Sequence, residues 1–402
     1  MTEQTQSSVK EVARVFLTLG LTSFGGPVAH LAYFRTELVQ RRQWLSDAAY
    51  ADLVALCQFL PGPASSQVGF ALGWHRAGFA GALLAWLTFT LPSALIMLVL
   101  ALTAAGIDHP VANGVLHGLH LVAVAVIAHA VWGMSKNLCP DRLRMGIAWG
   151  ALTLALLIGG TLGQLAALAL GVLITHFFCS SPLTGSSPNG TSSEAFQLNV
   201  SNSFSKIAGG LFIALLVLPW LISGSDGWLA LFDSFYRAGA LVFGGGHVVL
   251  PLLEAELVAP GWLSSEDFLT GYAGAQAVPG PLFTFAAFLG PLSGQTSGGV
   301  MASIVALIAI FLPGFLLLAA VLPHWQRWSQ SVQIRKLLMG ANAAVVGLLA
   351  AALYQPVWIS AISTGLDISI MLLCFLLLQI WQKPAWMVVI VGAILGGLFG
   401  VS

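Results

Sequence analysis

The chain has 402 residues, of which 57% are hydrophobic and 7% charged, with 15 Lys plus Arg balanced by 15 Asp plus Glu. An average soluble domain carries about 25% charged residues, so this composition excludes an ordinary water-exposed surface. The even charge balance gives no footing for a nucleic-acid partner.

In chain order, Met1 to Arg14 is polar and does not read as a cleavable signal peptide, so the first hydrophobic segment is expected to stay in the protein. Residues 12–42 are expected to form a hairpin that turns back at Phe24-Gly-Gly-Pro27, and residues 47–75 a second that turns back at Pro61-Gly-Pro63. Runs without Asp, Glu, Lys or Arg follow, from Ala77 to Ile107, Pro110 to Ser135 and Met145 to Ser193. Each exceeds the roughly 20 helical residues that cross a hydrocarbon core. Cys179 to Lys206 is rich in Ser, Gly, Pro, Asn and Thr and reads as a flexible linker. A bridging transmembrane helix is expected over 207–225, and further uncharged runs fill 268–326, 337–366 and 384–402.

The two sides of the linker repeat one another. Phe16 to Gly26 aligns with Phe235 to Gly245, keeping the phenylalanine, a glycine and Phe-Gly-Gly. Trp44-Leu-Ser matches Trp262-Leu-Ser, Gln58-Phe-Leu-Pro-Gly-Pro63 matches Gln276-Ala-Val-Pro-Gly-Pro281, and 44–63 against 262–281 gives eight identities in twenty positions. The match continues at Leu91-Pro-Ser93 with Leu312-Pro-Gly314 and at His120 with Asn342. This divides the chain into a first repeat (1–178), the linker (179–206), the bridging helix (207–225) and a second repeat (226–402). Equivalent loops carry opposite charge: Arg35, Arg41 and Arg42 against Glu254, Glu256, Glu266 and Asp267, then Asp108 against Arg327, Arg335 and Lys336. That is the mark of an inverted repeat under the positive-inside bias, and it predicts an all-α polytopic membrane protein with broken or re-entrant helices.

A break in a membrane helix exposes backbone groups that only protein or a water-filled cavity can satisfy. Half-helices starting after Pro27, Pro63, Gly246 and Pro281 are expected to aim free N–H groups and positive dipole ends at the protein centre, the makings of an anion site. The expected substrate-binding residues are Gly25, Gly26, Pro27, Arg35, Gln58, Pro61, Gly62 and Pro63 in the first half. In the second they are Gly244, Gly245, Gly246, His247, Gln276, Pro279, Gly280 and Pro281. The competing reading of such glycines is tight helix packing; their recurrence at matched places favours the site. His120, Asn342, Glu254 and Glu256 are candidates for coupling, since ionisable or polar groups at membrane depth are functional candidates. His30 belongs to the same class of intramembrane histidines. Trp44 and Trp262 read as interfacial anchors. Cys57, Cys139, Cys179 and Cys374 have no metal-like spacing and read as packing residues.

Taken together, the Phe-Gly-Gly segments, the paired Trp-Leu-Ser and the paired Gln-x-x-Pro-Gly-Pro resemble the chromate ion transporter family in its long, two-repeat form, over nearly the whole chain except the linker. The resemblance implies export of chromate, a tetrahedral dianion shaped like sulfate, through the inner (cytoplasmic) membrane as a resistance mechanism. Membrane potential or proton antiport would drive it. A homodimer is a candidate assembly, and no cofactor or metal is expected. The rival readings are a carrier of sulfate or another oxyanion, a passive channel, and a membrane-embedded enzyme. The last lacks any Gly-rich nucleotide loop, HExxH or GxSxG.

Overall fold

The computed structural model describes residues 3–104, 110–178, 196, 198, 200–221, 227–243, 245–296, 298–329 and 331–399. Among these there is helix and no strand, and five helices are long and apolar enough to cross a membrane.

The first half opens with two broken pairs. Helix α1 (Glu3–Thr22) is followed by α2 (Gly26–Phe34), which runs on through a π-helical stretch, Arg35–Arg41. The second pair is α3 (Asp47–Phe59) and the first limb of α4 (Ala64–Ala104). Helix α4 doubles back at the non-helical pair Ala77 and Gly78, and Gly73 lies against Gly81 across the fold. Helix α3 has 13 residues, about 20 Å of rise and well short of the roughly 30 Å hydrocarbon core. The ends of both pairs meet in one ion cluster. Glu11, near the middle of α1, receives Arg42 from the end of the π stretch at 3.3 Å and Arg76 from the end of the first α4 limb at 2.8 Å. Both pairs therefore enter and leave on one face, as expected of hairpins that turn back at Phe24-Gly-Gly-Pro27 and Pro61-Gly-Pro63.

Three apolar helices complete this half: α5 (Pro110–Leu138), α6 (Arg142–Ile158) and α7 (Gly160–Phe178). Helix α8 (Asn202–Leu221) then bridges to the second half. It begins before the expected residue 207, because the Ser201 hydroxyl accepts the Phe204 N–H and caps it. Most of the expected linker lies outside the described residues. Its end is not free: Phe196 is buried and donates its N–H to Asp52 at 3.2 Å.

The second half repeats the plan. Helix α9 (Trp228–Ala240) leads to a short 3₁₀ turn, α10 (Val249–Leu253) and a π stretch, Glu254–Val258. Helix α11 (Ser265–Ala277) and α12 (Phe285–Leu292) flank the second break. Then come α13 (Gly299–Val321), α14 (Trp325–Ser329), α15 (Val332–Ala352), α16 (Ile359–Ala361), α17 (Gly365–Gln379) and α18 (Ala385–Phe399). The repeated Trp-Leu-Ser works at its end: Ser46 and Ser264 accept the N–H of Ala49 and Asp267 and start α3 and α11. Trp44 is no interfacial anchor. It is buried against Phe16, with the Arg76 guanidinium 5.6 Å from its ring.

The halves exchange scaffold helices. Helix α5 of the first packs on α17 and α18 of the second, and α15 packs reciprocally on α6 and α7. Glycine makes these crossings: a methyl group on Gly118 would run into the Gly392 carbonyl oxygen, and one on Gly340 into that of Gly171. Such close approach gains dispersion contacts where lipid gives no hydrophobic drive. Cys57, Cys139 and Cys374 are free and buried in this packing; Cys179 lies outside the described residues.

Candidate functional site

The four breaks converge, and each half closes on the other. The Gly62 N–H donates to the Val242 carbonyl at 2.8 Å, and its counterpart Gly280 donates to the Ser23 carbonyl at 2.9 Å. Ser23 and Val242 end the first broken helix of their respective halves, so each Pro-Gly-Pro corner is tied to the opposite half's Phe-Gly-Gly corner. Both corner glycines have positive φ, +120° at Gly62 and +103° at Gly280, a conformation that costs other residues about 1–2 kcal/mol. A Cβ on Gly62 would lie 2.9 Å from Gly314 Cα, and one on Gly280 2.7 Å from Ser93 Oγ. These two glycines are packing and hydrogen-bonding residues, and their N–H groups are not free for an anion. Pro61 accepts a hydrogen bond from the Gln67 side chain, while Pro63 and Pro281 accept the N–H groups of Gln67 and Thr284. Pro279 shapes the matching corner.

The Phe-Gly-Gly corners are more open. Gly25 and Gly26 have φ of +102° and +76°, and neither Gly26 nor Gly245 has a neighbour within 4 Å of where a Cβ would stand. Pro27 meets its counterpart Gly246 across the pseudo-twofold, 2.9 Å from the Cβ that Gly246 lacks. Gly244 lies outside the described residues.

Other expected residues fall elsewhere. Arg35 is not at depth with the breaks: its side chain is 54% exposed and pairs with Asp47 at 2.7 Å. Gln58 is on the exposed face of α3, whereas its counterpart Gln276 turns a buried, unpartnered amide nitrogen inward. His247 is bonded to the Tyr272 hydroxyl at 2.9 Å, and His120 to Thr270 at 2.9 Å. Asn342 does not join His120; it lines a surface pocket with Phe59, Arg144 and Arg335. Glu256 accepts hydrogen bonds from Arg237 at 2.7 Å and Thr161 at 3.1 Å. Glu254 sits one helical stretch beyond His247, at the start of the second π segment.

His30 was a candidate as an intramembrane histidine, whereas Ser23, Ser66 and Gln67 at the breaks were not singled out by spacing. His30, one turn past Pro27, is fully buried with Nδ1 3.4 Å from Ser65 Oγ and Nε2 unpartnered. The Ser23 and Ser66 hydroxyls are likewise buried without partners. Gln67 spans the halves, donating to Pro61 and, at 2.9 Å, to the Gly314 carbonyl.

A cavity of about 1230 Å³ leads toward this region from the face bearing the Glu11 cluster. Lys10, Arg14, Arg41 and Arg42 stand in its lining with Glu11 and Glu37, and Thr18, Thr22, Tyr33 and Thr36 give it hydroxyls. It follows α1 to Thr22 and α2 to Ala29, which flank the Phe-Gly-Gly break. Four cations against two carboxylates leave a positive excess, which concentrates anions at the mouth and is screened by salt. Among the described residues no three His, Cys, Asp or Glu side chains converge as a metal site would.

A family model described as chromate transporter matches residues 10–177 and 229–398. The chain is 31% identical over 356 residues to a protein of Synechococcus elongatus named probable chromate transport protein, covering 86% of this chain and 84% of that one. It is 28% identical to the chromate transport protein of Pseudomonas aeruginosa (96% and 90% covered) and 27% identical to that of Cupriavidus metallidurans (97% and 93%). No solved structure matches the chain significantly.

Proposed function

Because this chain belongs to the chromate transporter family, we propose that it carries chromate out of the cell across the cytoplasmic membrane and so confers resistance. The observation that supports this most is the cationic, hydroxyl-lined cavity that reaches Thr22 and Ala29, the residues on either side of the open Phe-Gly-Gly break. A dianion is drawn in by the excess of Lys and Arg, then meets neutral donors at the paired breaks rather than a fixed counter-ion that would hold it. Gly25, Gly26, Pro27, Gly245 and Gly246 supply the close backbone approach, and Gln276 an amide donor. His30 contributes its unpartnered Nε2. With the cavity on the cytoplasmic face, as the clustered Arg residues favour, expulsion of a dianion is assisted by a potential negative inside. Proton exchange, with His120, Glu254 and Glu256 as carriers, is the second source of drive.

Radiolabelled chromate uptake into everted vesicles tests the reading. Uptake should rise with an imposed inside-positive potential, and excess sulfate should compete weakly. Uptake equal to that of empty vesicles would overturn it, and full displacement by equimolar sulfate would make the cargo a sulfate-type oxyanion instead.

A further inference from the structure

The repeat allows the cavity to be compared residue by residue with the place it should occupy in the second half. Its lining residues Arg14, Thr18, Ala32, Thr36 and Glu37 correspond to Asp233, Arg237, Pro251, Ala255 and Glu256. In the first half these positions face open space, and Tyr33 is 42% exposed; in the second half its counterpart Leu252 is 1% exposed. Two things fill the volume. Arg237 lies between Asp233 at 3.1 Å and Glu256 at 2.7 Å. Helix α7, contributed by the first half, lies over the π stretch, with Thr161 bonded to Glu256 and the Gln164 side chain to the Pro251 carbonyl. Among the described residues the π stretch of the first half has no comparable cover: α18, the counterpart of α7, packs on α5 and α11 and reaches the first half's break through Trp386 on Phe24.

We propose that the Asp233–Arg237–Glu256 triad with Thr161 is the closed gate of a second oxyanion vestibule, opening on the membrane face opposite the first. An inverted repeat places equivalent vestibules on opposite faces, and interchange of the two halves' conformations closes one as it opens the other. The triad suits a contact that must break. Asp233 Oδ1 and Arg237 Nε are buried without partners, so it is less than fully satisfied in the closed arrangement. Opening separates Arg237 from Glu256 and presents its guanidinium to a departing anion, as Arg14 and Arg42 serve an arriving one. The gate rests on the reading of the chain as a transporter, and not on which oxyanion it carries.

The test is paired labelling by an impermeant maleimide, in a background with the four native cysteines replaced. Thr36→Cys and Ala255→Cys probe the same place in the two halves. At rest, Thr36→Cys should label from its own face and Ala255→Cys from neither. Adding Glu256→Gln, with no substrate present, should raise labelling at Ala255→Cys roughly tenfold or more, the scale of one lost charge-assisted hydrogen bond, and lower it at Thr36→Cys. Should the Glu256→Gln protein fail to insert, chromate supplied with an imposed potential to the parent should shift the two positions in the same opposed directions. Unchanged labelling at Ala255→Cys in both tests, or a parallel rise at both positions, would overturn the gate. Opposed shifts with Glu256→Gln but none with chromate would uphold the gate and refute chromate as cargo.

Discussion

Replacing Gly280 by alanine tests whether the Pro-Gly-Pro corners are held by backbone and packing. The new methyl group would stand 2.7 Å from Ser93 Oγ and 3.3 Å from Ser93 Cβ, at a residue whose φ is +103°. Overpacking of this kind costs about 1–3 kcal/mol and the left-handed backbone about 1–2 kcal/mol. The expected loss is therefore roughly 2–5 kcal/mol, together with a strained Gly280–Ser23 hydrogen bond. Ser93 faces Gly280 as Gly314 faces Gly62, so Ser93→Gly should relieve the steric part and leave the backbone part. Ser93 Oγ bonds only within its own helix, to the Thr90 carbonyl, and Ser93→Gly alone should cost about 0.5–1 kcal/mol. Unfolding free energies of the parent, both single variants and the double variant, measured by SDS titration in mixed micelles, close the cycle. A coupling of about 1–3 kcal/mol in favour of the double variant is expected. Strict additivity, or a silent Gly280→Ala, would show that the corner relaxes freely and that its geometry has been misjudged.

Other expectations follow from the same geometry. Gln67→Leu leaves the Gly314 and Pro61 carbonyls without their donor, and at about 1–3 kcal/mol for each buried unsatisfied group it should lower the detergent melting temperature by several degrees in a size-exclusion thermal assay. Arg14→Gln should slow vesicle uptake at low salt and lose most of that effect near 1 M salt, where the Debye length falls to about 3 Å; Arg35→Gln, paired with Asp47 away from the cavity, should transport normally. Single cysteines at Arg41 and at Gly261, equivalent ends of the first hairpin in each half, should label from opposite membrane faces. Deleting residues 181–190 should leave transport intact, since loop length costs little, whereas Phe196→Ala should destabilise the protein by about 3–5 kcal/mol because Phe196 is buried.

The breaks were legible because proline and glycine punctuate a helix wherever it lies, and the repeat because Trp-Leu-Ser and Pro-Gly-Pro serve local chain geometry in both halves. The same breaks placed the turns of the hairpins, and the arginines mark their ends: Arg42 and Arg76 are far apart in sequence, yet they meet at Glu11. Side-chain direction was less legible. Arg35 continues α2 with α-helical backbone, but on the side where Asp47 holds it at 2.7 Å, and spacing alone does not say which side of a short helix faces the breaks. Gln58 and Gln276 share a motif, yet only the latter faces inward, because α11 is surrounded by protein and α3 is not. The Asp233–Arg237–Glu256 triad was hidden for a different reason: two of its members correspond to Arg14 and Thr18, so no repeated signature marked it, and α7 reaches it only through the folded exchange of helices.

That exchange also sets the order in which the molecule can be made. Helix α5 leaves the ribosome early, but the glycine face it carries at Gly114 and Gly118 has its partners at Gly396 and Gly392 of α18, more than 250 residues later. Until α18 is inserted, that face meets only lipid tails, and α6 and α7 wait in the same way for α15. The first half is thus membrane-inserted long before it is packed, and each half acts as the other's chaperone. A chain cut before residue 385 lacks Gly392 and Gly396, the partners of Gly118 and Gly114, and leaves that small-residue face of α5 to lipid.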